Sequence, residues 1–162
     1  MSLQQTTVHF LDWNRARIAR CLDVLTPNQL WERPNGNSNS VGNQLLHLSG
    51  NLRQWVLSGL GGQPDVRRRA AEFAATEGAT AVELLAELTD VIERCKTVVT
   101  RLTPTDLATE RPVQAYRHDG TFILVHITEH LSYHTGQIIF WTKLLHDVDL
   151  NFYGGDDLDA TA

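Results

Sequence analysis

Two short stretches of the chain echo each other, and together they constrain the fold more than any other feature. Leu25-Thr26-Pro27-Asn28-Gln29-Leu30 and Leu102-Thr103-Pro104-Thr105-Asp106-Leu107 both read Leu-Thr-Pro-x-x-Leu. Each is soon followed by Glu-Arg-Pro, at Glu32-Arg33-Pro34 and Glu110-Arg111-Pro112. In both, the threonine can cap a short helix that begins on proline, whose missing N–H is one the first turn leaves unpaired anyway. Gln29 and Asp106 then stand where a side chain can return the cap. The chain reads as two similar units, each a helix, a capped turn, an irregular proline-containing link and a second helix.

Helical periodicity fills in the rest. A first helix spans about Leu3 to Leu25. A second opens after the polar cluster Asn35-Gly36-Asn37-Ser38-Asn39-Ser40, rich in capping residues, and stops at Gly59 or Gly61-Gly62. Thr80-Ala81-Val82-Glu83 reads as a capping box for a third, running to about Leu102. The fourth opens near Gly120-Thr121 and ends about His146, although Thr121 to Val125 also passes for a short strand. Gly61 to Gly78 is too long for a simple antiparallel turn and suits a crossover between helices 2 and 3 of an all-α four-helix bundle. Past Leu145 the periodicity fades, and Gly154-Gly155-Asp156-Asp157 reads as frayed. The expected organisation is one bundle domain over residues 1–146 and an acidic C-terminal tail over 147–162.

Charge narrows the ligand class. Fourteen basic residues stand against 19 acidic ones, for a formal charge of −5. Asp147, Asp149, Asp156, Asp157 and Asp159 all follow the last basic residue, Lys143, so the body before them is neutral. A neutral body argues against nucleic acid as a partner, since phosphate binding needs a basic surface. The N-terminus carries neither a basic region nor an apolar stretch, and the apolar runs are too short to span a bilayer. Cys21 and Cys95 form no CxxC and are expected to be buried, which suits a reduced, cytoplasmic setting. Arg67-Arg68-Arg69 reads as a solvated basic patch balanced by Glu72 and Glu77.

Chemistry is most concentrated in the histidines, seven in all, with His126, His130 and His134 in one run. Residues four apart lie on one helix face, about 6 Å apart along the axis, so neighbouring rungs can share a metal while the outer two, about 12 Å apart, cannot. Either His126 with His130 or His130 with His134 can therefore serve. On the helical wheel His130 and His134 share the sector of Ile123, Ile127, Ile138 and Trp141, while His126 drifts toward Tyr133 and Gln137. His47 lies beside the apolar stripe of the second helix, together with Gln44 and Asn51, and is the natural third ligand. Three neutral imidazoles with the remaining positions open make a catalytic rather than a structural metal site. Glu129, about 100° round the helix from His130, is cast as a surface or outer-shell residue. Trp13, Trp31, Trp55 and Trp141 are candidates to line a pocket. His9, His118 and His146 are assigned to the surface. No HExxH, nucleophile elbow, Walker loop or GxGxxG is present.

Glu129-His130-Leu131-Ser132-Tyr133-His134-Thr135-Gly136-Gln137-Ile138 resembles the last-helix motif of the DinB/YfiT-like superfamily, His-x3-His followed by x-Gly-Gln. Ser40-Val41-Gly42-Asn43-Gln44-Leu45-Leu46-His47-Leu48-Ser49-Gly50-Asn51-Leu52 resembles its second-helix segment. The resemblance implies an up-down-down-up four-helix bundle and one divalent metal on His47, His130 and His134, and imidazole suits zinc and nickel alike. It implies a thiol S-transferase that joins a low-molecular-weight thiol, such as bacillithiol or mycothiol, to a small electrophile. Gln44, Asn51, Tyr133 and Gln137 are the candidate outer-shell or substrate contacts. Many relatives have a second His and an Arg before Gly-Gln, where this chain has Tyr133-His134-Thr135-Gly136-Gln137, a change that leaves the ligand pair intact but removes a candidate anion contact. Two other readings stand beside this one: hydrolysis of a small substrate by metal-activated water, and a non-enzymatic metal- or ligand-binding helical module. A homodimer is compatible with all three.

Overall fold

The structure, a computed structural model, describes residues 1–161. Helices α1 (Leu3–Leu22), α2 (Pro27–Trp31), α3 (Val41–Leu52), α4 (Arg69–Ala74), α5 (Ala81–Val99), α6 (Pro104–Ala108) and α7 (Gly120–His146) are joined by one small hairpin, β1 (Arg111–Val113) and β2 (Tyr116–His118). The chain is thus mostly helical, as the periodicity predicts. Side-chain caps explain where the helices begin. Ser2, Thr26, Ser40, Thr80 and Thr103 each accept from the backbone N–H three residues on, and Gln5, Gln29, Asn43, Glu83 and Asp106 complete the boxes. The two echoing stretches therefore form matching elements, α2 and α6, each opened by threonine and started on proline.

Four long helices hold the core. α1 packs on α7 and α5, and α3 packs on α5 and α7. Leu11 and Ile18 from α1, Leu45 and Leu48 from α3, Leu88 and Ile92 from α5, and Ile123 and Ile127 from α7 are fully buried in one cluster. Removing each such side chain from water contributes about 1.5–3 kcal/mol. α3 is enclosed on most sides, because α2 and α4 also cover it. That enclosure is why the polar side chains of Asn43, His47 and Asn51 are buried with the leucines.

Past Leu52 the second helix widens. Residues Arg53–Ser58 are π-helical, and Gly59 N–H donates to the Gln54 carbonyl five residues back at 3.0 Å. The stop expected at the glycines follows. A side chain on Gly59 would bring its Cβ to 2.6 Å from the Trp55 carbonyl, and Gly62 takes φ +68°.

The fourth helix opens at Gly120 as expected, and Thr121 to Val125 is helix rather than strand, because Asp119 caps α7 by accepting from Phe122 N–H at 2.7 Å and the buried residues Ile123, Leu124 and Ile127 follow helical spacing. The second proline-containing link is a hairpin rather than irregular, with Arg111 opposite His118 and Val113 opposite Tyr116. Val113 anchors it, buried beside the end of the π-helical turn at Gly59. Between α7 and the exposed Gly154-Gly155 stretch the chain is still tied down: Leu150 is buried, and Arg20 on α1 donates to the carbonyls of Leu150 and Asn151.

Candidate metal centre

His47 comes from the middle of α3, and His130 and His134 from the middle of α7, where the two helices pack. Their ligand nitrogens all lie within 4.8 Å of one another. His47 Nε2 faces His130 Nε2 at 3.1 Å, and the ring centroids of His47 and His134 are 5.0 Å apart. Among the described residues this is the group of three suited to a metal ion.

The outward nitrogens of two rings have defined partners. His134 Nδ1 lies 2.8 Å from the Gln137 side-chain carbonyl oxygen, which can only accept, so the proton sits on Nδ1 and the Nε2 lone pair stays free. His47 Nδ1 lies 3.1 Å from Glu72 Oε2 and 3.0 Å from Arg67 Nη2. When Nδ1 donates to the carboxylate, Nε2 offers its lone pair to the centre. When Nδ1 instead accepts from the guanidinium, the proton sits on Nε2 between His47 and His130. The first form is the ligand form, and Glu72 favours it.

Glu72 is held in turn. Arg67 Nε donates to its Oε1 at 2.7 Å and Arg67 Nη2 to its Oε2 at 2.8 Å. The Arg67 side chain is only 3% exposed, and its Nη1 donates to Gln54 Oε1 at 2.9 Å. Burial alone would raise the Glu72 pKa; the hydrogen bonds and charges of Arg67 and His47 outweigh it and hold the carboxyl below its ordinary value. Gly50 makes the room, since a Cβ there would meet Glu72 Oε1 at 2.1 Å. Asn43 ties the same segment down by donating to the carbonyls of Glu72 and Ala75. The sequence reading of Arg67 and Glu72 as solvated is thereby corrected. Arg67 is buried because the crossover folds back over α3 and brings a compensating carboxylate with it.

The donors suit a divalent cation. Burial first, and then the neighbouring histidines, press His130 down to about 3; burial and His47 press His134 down to about 4. Both rings are therefore neutral near pH 7, the form that binds metal. The same crowding that expels protons leaves one small region where a single cation can meet three lone pairs.

Beside the triad lies a cleft of about 450 Å³ with His47 and His130 on its lining. Asn51 lines it too. Gln137 reaches the site through His134, whereas Tyr133 is exposed and meets His134 edge-on at 5.1 Å. Gln44 is buried outside the cleft lining, its Oε1 without a partner. His126 lines the cleft next to His130, its ring 3.9 Å from that of Trp55 and tilted 35° to it, and burial lowers its pKa. His118, expected at the surface, also lines it, stacked on Phe122 at 3.7 Å because β2 folds over the start of α7. His146 is not a free surface residue either, since its Nε2 meets Gln29 Oε1 at 3.0 Å. Of the four tryptophans, Trp55 alone lines this cleft. Glu129 is exposed. Cys21 and Cys95 are buried and unpaired, and burial pushes their thiols up to about 11 and about 12. They are not nucleophiles at neutral pH.

Fold and site together define a helical protein with a three-histidine centre at the end of an open cleft. Its sequence matches the DinB superfamily over residues 11–138, and the chain belongs to that superfamily. A conserved protein from Enterococcus faecalis has a similar structure, with a TM-score of 0.74 at 16% identity, covering 91% of this chain and 99% of its own. A DinB-like protein from Bacillus subtilis gives 0.68 at 17% identity over 91% and 97%, and one from Bacillus cereus gives 0.67 at 16% over 87% and 91%. No curated protein matches by sequence. Among the described residues, no helix is long and apolar enough to cross a membrane.

Proposed function

We propose that the protein is a metal-dependent S-transferase that joins a low-molecular-weight thiol to a small electrophile. The observation that carries this reading is the meeting of three neutral imidazoles from α3 and α7 beside an open cleft, with no carboxylate among the three ligands. His47, His130 and His134 would hold the ion, zinc or nickel. When bound there, the ion supplies Lewis acidity that favours thiolate over thiol at neutral pH. The chain's own residues do the rest. Glu72 keeps the His47 proton on Nδ1, Gln137 does the same for His134, and Arg67 keeps Glu72 ionised and in place. The cleft walls, including Asn51, position the electrophile beside the triad. Three ligands leave positions open for a small thiol, as catalytic sites do.

The finer architecture belongs to the same proposal. We infer an up-down-down-up bundle over residues 1–146 with the tail at 147–162, a cytoplasmic protein with unpaired buried cysteines, and a homodimer, supported by the exposed Phe140 and Leu144 on α7. Small molecules, rather than nucleic acid or membrane, are the partners.

Elemental analysis of untagged protein tests the centre, and thiol consumption tests the reaction. Near-stoichiometric metal that disappears in both His47→Ala and His134→Ala supports the triad. Metal-loaded protein that consumes neither thiol nor electrophile across several thiols sinks the transferase reading. Turnover without added thiol would point to hydrolysis instead.

A further inference from the structure

The cleft beside the triad is lined by two arginines and several imidazoles, and by no aspartate or glutamate. Arg67 is already committed to Glu72 and Gln54. Arg69 is not: among the described residues it makes no salt bridge, and the one group it lies over is the Phe73 ring, at 4.7 Å. A free guanidinium at the edge of a cleft without carboxylates offers two parallel N–H donors to a planar anion, the geometry that a carboxylate matches.

The walls add a second requirement. His118 and Phe122 stack at 3.7 Å, and the Trp55 and His126 rings meet at 3.9 Å, tilted by 35°. The two pairs face one cleft, with Phe122 and His126 parallel to within 7°. Phe122 is 46% and Tyr116 is 58% exposed, so aromatic surface is left in water where helix and hairpin meet. Such surface beside a concave site is the usual mark of a ligand that covers it. A volume of about 450 Å³ suits a molecule of one ring and a short chain.

We propose that the electrophile is a planar, conjugated monocarboxylate. Its π-system lies on the Phe122–His118 wall, its carboxylate pairs with Arg69, and its reactive end is directed toward the His47–His130 side of the cleft. This inference rests on the transferase reading for the word electrophile, but binding can be measured with no turnover at all.

The test uses isothermal titration of the full-length, zinc-loaded protein at low ionic strength with three probes. These are trans-cinnamate, cinnamamide as the same plane without the charge, and acetate as the charge without the plane. Cinnamate should bind at least tenfold tighter than either. Arg69→Gln should weaken cinnamate about five- to tenfold and leave cinnamamide unchanged, while Phe122→Ala should weaken both. Zinc content should stay the same in both variants. Cinnamate affinity that is indifferent to Arg69, including affinity that follows only the zinc content, overturns the proposal. So does equal binding of cinnamate and cinnamamide. Arg69-dependent binding without thiol transfer would keep this inference and remove the transferase reading. Transfer confined to uncharged electrophiles and untouched by Arg69→Gln would do the reverse.

Discussion

The two echoing units differ in how they present their histidines. In the second, α6 is followed by a hairpin and by the 27-residue α7, which supplies His130 and His134 one turn apart. Its close approach is set by Gly120, where a Cβ would lie 2.6 Å from the Asp106 carbonyl. The backing for His134 is local, from Gln137 three residues on. In the first unit, α3 gives way to a π-helical turn and supplies His47 alone. The backing for His47 comes from Glu72, 25 residues away in the crossover, itself clamped by Arg67. One half of the site is thus organised within a helix, and the other by tertiary closure. The local half can survive loosening of the crossover; the tertiary half cannot.

The largest effect expected is loss of metal from either side. His47→Ala and His134→Ala should each take metal content from near one per chain to near zero, because two imidazoles cannot replace three at micromolar metal. If His47→Ala retained full metal, the two halves would not form one centre. Removing the ion from the wild type is the next step down. Chelation should lower thermal stability by about 2.7 kcal/mol relative to a solution at 100-fold excess over Kd, a drop of roughly 5–10 °C for a chain of this size, read by calorimetry. An unchanged midpoint would mean that the preformed triad does not bind the ion in the folded state.

Backing residues should separate the halves. Glu72→Gln keeps the shape but removes the charge that holds the His47 proton on Nδ1, so metal affinity should fall about 10–100-fold in a competition titration. Gly50→Ala should act in the same direction by displacing the carboxylate. Gln137→Leu should cost less than tenfold, since Gln137 is exposed and water can replace its carbonyl. Equal losses from Glu72→Gln and Gln137→Leu would erase the contrast between tertiary and local backing.

What the sequence made legible follows the same division. Caps and proline starts are local, so Thr26, Thr103 and Thr80 could be read directly from the residues beside them. The i,i+4 pairing of His130 and His134 is also local, and His47 could be singled out from its place beside an apolar stripe. Arg67 and Glu72 could not, because nothing in a run of three arginines tells which one turns inward; only the path of the crossover over α3 decides it. His118 escaped for a related reason, and Trp55 could be named as a pocket candidate but not told from the other three tryptophans. The hairpin and the π-helical turn depend on Val113 docking beside Gly59, a contact between residues more than fifty positions apart. The family resemblance tied the three histidines into one set, and the structure adds the arrangement around them.

The smallest effect tests whether the two units are alike in energy as well as in pattern. Thr26 Oγ1 accepts from Gln29 N–H at 3.4 Å, and Thr103 Oγ1 accepts from Asp106 N–H at 3.2 Å. Removing either hydroxyl leaves one N–H of a five-residue helix without its partner, at a cost of about 1 kcal/mol. Thr26→Ala and Thr103→Ala should therefore shift the urea midpoint by similar amounts. Each cap residue also makes a longer tie: Asp106 pairs with Arg111 at 2.9 Å and so holds the start of β1, whereas Gln29 Oε1 meets His146 Nε2 at 3.0 Å and so ties α2 to the end of α7. Arg111→Ala, which leaves both caps intact, should therefore cost about 0.2–1 kcal/mol in the same urea titration. A midpoint unchanged by Arg111→Ala would mean that the exposed Asp106–Arg111 contact contributes nothing to holding the hairpin, as many surface pairs do not.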